Sequence, residues 1–234
     1  MKAKILVGIL TIVTVSVLAA DSKEEVTAAA KKLGQKENYS WKTTLDFGNF
    51  STTTEGKVNQ EGLACLSMTA GDNTREAFLK GGKAVVKLPE EGWQSLSELE
   101  NNTSGNARGR QFLTRRLQNF KTPAEEAANL VSKTKELKKD EDVYSGELTE
   151  AGAKELLTFG RRRGADAPEP KNAKGSVKLW IKDGVLTKYE FKQSGTVTVG
   201  DNERDIDGTT TTEIKDVGGT KIEIPEAAKN KLEG

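Results

Sequence analysis

Hydrophobic and polar positions alternate with a period of two through the last third of the chain. Val177, Leu179 and Ile181 alternate with Ser176, Lys178, Trp180 and Lys182, the pattern of a half-buried strand. Asp183-Gly184 follows at once and predicts a two-residue type I′ hairpin, whose central residues both need positive φ. The return strand is expected to put Val185, Thr187, Tyr189 and Phe191 on one face and Lys188, Glu190 and Lys192 on the other. A slip of one residue would turn the aromatic face to water, so the register is well specified. Thr196–Val199, a polar tip from Gly200 to Gly208, Thr209–Lys215 and a short strand Lys221–Ile224 ended by Pro225 complete an antiparallel meander.

A similar meander is predicted near the start. Ser22-Lys-Glu-Glu25 has the form of a capping box, followed by Val26, Ala29, Ala30 and Leu33 on one helical face and a stop at Gly34. Tyr39, Trp41, Thr43, Leu45 and Phe47 then share one side of a strand. Ser51–Lys57, Leu63–Ala70, Arg75–Lys80 and Lys83–Leu88 read as further strands, the last two joined at Gly81-Gly82, and Gly92-Trp93 ends the meander. The middle of the chain changes to helical spacing. Phe112, Leu113, Arg116, Leu117 and Phe120 share a face after a polar loop from Asn101 to Gly109. Thr122-Pro-Ala-Glu125 combines a Thr cap, a Pro at the first helical position and a reciprocal Glu. Val143–Leu148 reads as a strand, Thr149 caps a helix carrying Leu156, Leu157 and Phe159, and Gly160–Lys174 is loop-like.

Strands, then helices, then strands, without βαβ alternation, predict an α+β fold. The expected architecture is a strongly curved antiparallel sheet, a half-open β-barrel, wrapped around the central helices.

Residues 1–20 are set apart from this pattern. Lys2 and Lys4 precede an apolar run from Ile5 to Leu18, and small residues end it before Asp21, which predicts a cleaved signal peptide and an exported protein. Residues 21–234 then form a single half-barrel domain. The charge balance is near neutral, with 36 basic and 35 acidic residues, which argues against a nucleic-acid partner. No cysteine follows the leader, so lipid attachment there is not expected. Cys65 is the only cysteine, which excludes an internal disulfide and reads as a small core residue.

Three groups of residues then show a family resemblance: Gly82-Lys-Ala-Val-Val-Lys87 with Gly92-Trp93; Lys178-Leu-Trp-Ile-Lys-Asp-Gly-Val185; and Thr210-Thr-Thr-Glu-Ile214 with Lys221-Ile-Glu-Ile-Pro225. In this order, around a helical middle, they resemble the lipoprotein-carrier superfamily of LolA and LolB proteins and LppX/LprG-type lipoproteins. The resemblance implies a half-open barrel closed by helices, often with an apolar cavity for acyl chains. A lipid, acyl chain or lipoprotein partner is therefore the expectation, with peripheral contact to an envelope membrane.

Candidate chemistry is sparse. The chain has no histidine, which removes imidazole-based catalysis and His metal sites. Acidic pairs such as Glu90/Glu91 read as solvated surface. The tip places Glu203, Asp205 and Asp207 as in a calcium loop, but Ile214 falls where the bidentate Glu belongs, so no metal is expected. No cofactor and no catalytic residue is assigned. Arg108, Arg110, Arg115 and Arg116 could contact anionic head groups, whereas Arg161–Arg163 reads as helix-end charge. The candidate cavity-lining residues are Trp41, Phe47, Phe78, Trp93, Phe112, Phe120, Tyr189 and Phe191. The expected function is non-enzymatic binding of a lipid or other apolar ligand; the alternative is an envelope structural or protein-interaction domain with a filled core.

Overall fold

The structure is a computed structural model that describes residues 15–48, 50–101, 107–158, 169–199 and 202–234. Residues 1–14 of the predicted leader, Phe159 and Arg161–Arg163 lie outside the described residues.

The N-terminal meander contains β1 (Asn38–Asp46), β2 (Ser51–Asn59), β3 (Ala64–Ala70), β4 (Asn73–Lys80), β5 (Lys83–Leu88) and β6 (Gly92–Ser95). The C-terminal half supplies β7 (Lys138–Asp140), β8 (Val143–Glu147), β9 (Lys171–Lys182), β10 (Val185–Val199) and β11 (Asn202–Lys215). They form one sheet in the order β6-β5-β4-β3-β2-β1-β11-β10-β9-β8-β7, antiparallel at every pairing. The two meanders meet where β1 pairs with β11, and the end strands β6 and β7 do not meet. The sheet is therefore open, and the expected α+β architecture is the one observed.

The concave face is covered by α1 (Val15–Gly34), α2 (Leu96–Asn101), α3 (Ala107–Gln118), α4 (Pro123–Ser132) and α5 (Glu150–Thr158), whose apolar residues join those of the strands in one core. The α4 cap forms as its sequence requires: Glu125 N–H donates to Thr122 Oγ1, and the Glu125 carboxylate accepts from Thr122 N–H at 2.8 Å. Thr149 likewise accepts from Gly152 N–H at 3.0 Å at the start of α5. Asp183 and Gly184 have φ of 53° and 68°, the pair of positive angles that a type I′ hairpin needs.

Five expectations are corrected. Ser22 does not cap α1, because the helix already runs from Val15 and carries Ser22 buried within it. The side chain of Glu25 is instead bonded to Tyr144 and to Lys139, the latter at 2.8 Å. On β10 the inward set is Leu186, Tyr189 and Phe191, not Val185 and Thr187, because an irregularity between Leu186 and Lys188 inserts one residue and flips the phase. The polar segment Asn202–Gly208 is strand, paired with Gln193–Val199, and is not a turn. Lys171–Lys174, read as part of a loop, opens β9. Lys221–Ile224 forms no strand, since both edges of the preceding strand β11 are already taken by β1 and β10. It leads into an unforeseen helix, α6 (Glu226–Glu233).

That helix lies on the opposite, convex face. Ala228 and Leu232 pack with Phe78 and Val85 in a second small core, flanked by Cys65, Trp93, Ile222 and Ile224. Cys65 is thus a half-buried packing residue, as its isolation in a strand suggested, and burial pushes its thiol pKa up.

Candidate functional site

A cavity of about 1240 Å³ lies between the concave face of the sheet and helices α3, α4 and α5. The strand registers order its wall into rows. One transverse row runs Thr54–Thr43–Thr212–Tyr189 across β2, β1, β11 and β10. The next runs Thr52–Leu45–Thr210–Phe191 across the same strands. Beyond it Gln193 pairs with Gly208, whose bare backbone takes the ring of Phe47: a Cβ there would stand 2.3 Å from Phe47 Cε1. Val197 and Ile206 extend the wall along the outer parts of β10 and β11, opposite Leu156 and Leu157 of α5.

The other end is closed by aromatic packing. Trp41 stacks on Phe120 with centroids 6.2 Å apart and planes 21° apart, and Tyr39 tilts against Trp41 at 5.9 Å. Gly56, opposite Trp41 on β2, leaves the space the indole occupies.

The first row is polar and tied at both ends to helices. Arg116 Nη2 of α3 donates to Thr54 Oγ1 at 2.7 Å. The hydroxyls of Thr43 and Thr212 share a hydrogen bond of 2.8 Å. At the far end the Tyr189 hydroxyl donates to Glu126 Oε2 of α4. Burial pushes the Glu126 carboxyl up, opposed by the bond from Tyr189 and by the charges of Lys121, Lys133 and Arg116. Tyr189 is displaced well upward by its burial and then by the Glu126 charge, and burial pulls Arg116 below its ordinary value. Farther along, Gln193 Oε1 is shielded from solvent and accepts no hydrogen bond among the described residues.

Of the eight candidate lining residues, six reach this cavity: Trp41, Phe47, Phe112, Phe120, Tyr189 and Phe191. Phe112 does so from the rim, where it is 53% exposed. Phe78 and Trp93 do not. They pack against each other, centroids 5.4 Å apart, in the convex-face core. The cause is the two-residue period: Phe78 lies between the inward Ala77 and Leu79, so its own side chain must point outward. Sequence reasoning missed Thr43, Thr54, Thr210 and Thr212, Arg116 as a cavity residue, and Glu126. The available signal was the spacing of Glu55/Lys57 and Glu213/Lys215, whose charges mark the outward phase and leave Thr52/Thr54 and Thr210/Thr212 on the other face.

The arginine cluster disperses. Arg110 pairs with Glu91 at 3.0 Å, Arg115 reaches Gln111 at 3.4 Å, and Arg116 alone turns into the cavity. At the outer end, Lys171 pairs with Glu203 at 2.6 Å and Thr196 donates to Asp205 at 2.8 Å. The acidic residues once aligned with a calcium loop are thus spread along an extended strand, and among the described residues no group of three or more acidic or sulfur ligands converges.

No family model matches the sequence, and no curated protein matches it. Among solved structures, the chain is similar to LprF from Mycobacterium bovis, with TM-score 0.46 and 11% identity over 89% of this chain and 98% of that one. It is also similar to a DUF1329 family protein from Desulfovibrio piger (TM-score 0.38, 8% identity, 89% and 95% of the two chains). A LolA superfamily protein from Nitrosomonas europaea aligns with TM-score 0.33 and 13% identity over 89% and 96%. Identity and superposition are low in all three.

Proposed function

We propose that the chain is a non-enzymatic binding protein that buries a lipid or other apolar chain between its curved sheet and α3–α5. The observation that carries this reading is the cavity itself. Its volume of about 1240 Å³ exceeds the roughly 300–1,000 Å³ usual for small-molecule sites. Phe191, Phe47, Leu45, Leu156 and Ile206 give it a largely apolar wall beyond the polar row. Burial there would stabilise a complex by about 0.8 kcal/mol per methylene. A structural or protein-interaction domain with a filled core has no use for such a space. Residues 21–234 act as the binding unit in this reading. Residues 1–20 direct export to the periplasm or beyond, and the exposed Phe112 at the rim meets an envelope membrane during loading. Among the described residues no helix is long and apolar enough to cross a membrane.

Native mass spectrometry of the protein purified after export tests the proposal, together with uptake of a neutral fluorescent apolar probe. Added lipid mass, or uptake that is abolished by Leu156→Trp in the wall, is the expected result. A ligand-free species that takes up no probe would leave the filled-core alternative standing.

A further inference from the structure

The inner end of the cavity carries an unsatisfied charge. Arg116 has five N–H donors in a planar fork, and among the described residues its one hydrogen-bond partner is the neutral Thr54 hydroxyl. Half-buried, it makes no ion pair within 4.0 Å there, although a guanidinium partly shielded from water is a ready partner for a carboxylate or phosphate. Glu126 is close enough to feel its charge but makes no ion pair with it within 4.0 Å, and its Oε2 accepts from the Tyr189 hydroxyl. Lys133, which also faces Glu126, is already paired with Glu155 at 3.3 Å. Arg116 and Lys121 together therefore outweigh Glu126 at this end. From Arg116 the wall passes through Thr54 and Thr43 to the apolar path of Leu45, Phe191 and Phe47.

We infer that the ligand is an anionic amphiphile bound head-inward, its carboxylate or phosphate oxygens held by the Arg116 guanidinium and its chain lying along Leu45, Phe191 and Phe47. This rests on the reading of the cavity as a ligand site and adds the chemistry of the ligand's head. A tetrahedral or planar oxyanion fits the fork bidentately, whereas an alcohol offers it a single uncharged oxygen. The threonine hydroxyls beside it can donate to the remaining oxygen lone pairs.

The experiment compares palmitate, hexadecyl phosphate and hexadecanol as competitors of a neutral fluorescent probe, at mildly alkaline pH where both acids are ionised. Wild-type protein should prefer one or both anions over the alcohol by about tenfold or more, the scale of a charge-assisted hydrogen bond. The two anions distinguish a fatty carboxylate from a phosphorylated lipid, and inorganic phosphate alone should not displace the probe. Arg116→Gln should abolish the preference, weakening both anions far more than hexadecanol, and Arg116→Lys should retain part of it. Equal binding of acid and alcohol to wild-type protein, or an equal loss of all three in Arg116→Gln with its circular dichroism unchanged, would overturn the inference while leaving apolar binding intact. Should Arg116→Gln not fold, the wild-type preference decides alone. Failure of every competitor and of the probe to enter would remove the cavity reading itself.

Discussion

Gly56→Ala tests whether the closed end of the cavity is packed as described. A Cβ at residue 56 would stand 2.1, 2.3 and 2.6 Å from Cζ2, Cε2 and Cη2 of Trp41, where ordinary contact begins at 3.4 Å. The indole must therefore move by more than an ångström, and it has nowhere to go: it is 4% exposed and stacked on Phe120. Overpacking of this kind costs about 1–3 kcal/mol, and disrupting the aromatic pair adds about 0.5–1.5 kcal/mol. Against this, replacing a strand glycine with alanine returns about 0.5–1 kcal/mol of backbone entropy. The net expectation is destabilisation by about 1–3 kcal/mol. In urea that lowers the unfolding midpoint by roughly 0.3–1.5 M, given a slope of about 2–3 kcal/mol/M for a chain of this size. Carrying Trp93→Phe and Trp180→Phe leaves Trp41 as the sole indole of the three, so its emission should shift to the red in the same variant. Trp41→Leu in the Gly56→Ala background should recover part of the loss, a non-additivity expected only of residues in contact. An unchanged or raised midpoint with unaltered Trp41 emission would refute the packing.

Two further outcomes follow from the geometry. Glu98 is held down at about 2 by its bonds from Lys231 and Ser95, so it contributes stability above the unfolded carboxylate pKa near 4.5 and loses it as the pH falls through about 2. The difference in thermal midpoint between wild-type protein and Glu98→Gln should be small, because the pair is exposed and screened, and should vanish below pH 2; a constant difference would count against the assignment. Leu232→Ala should destabilise by about 2–4 kcal/mol in chemical denaturation while leaving probe uptake unchanged, because the core around Phe78 and Trp93 lies across the sheet from the cavity.

The strands of the two meanders were legible because one face is apolar and the period is two. Val177, Leu179 and Ile181 are inward as their alternation requires. What alternation could not reveal was a change of phase. The irregularity after Leu186 moved Thr187 out of the inward set, and nothing in the local composition marks it. Nor could it say which of two apolar faces a residue belongs to. Phe78 and Trp93 looked equivalent to Phe191, yet their strands have a second cover in α6, which no sequence periodicity tied to them. The site was only half legible for a related reason. Aromatic residues announce burial, whereas Thr54 and Thr212 look like surface strand residues until the register aligns them in a row with Thr43. Arg116 looked like one member of a basic cluster, and only the approach of α3 to β2 separates it from Arg108, Arg110 and Arg115.

The end strands of the sheet have a mechanical consequence. In a closed barrel, strand number and stagger fix the diameter, and any dilation breaks ladder hydrogen bonds. Here β6 and β7 share no ladder, so the ribbon can uncoil or tighten by a little twist at each strand with every backbone bond retained. The resistance comes from helix–sheet side-chain packing and a few side-chain hydrogen bonds such as Arg116–Thr54, which are softer than a hydrogen-bonded hoop. The girth of the container is thus an elastic variable, adjustable to contents of different bulk. The three-residue Lys138–Asp140 edge, exposed along its whole length and carrying two lysines, keeps that freedom from being taken up by a neighbouring chain.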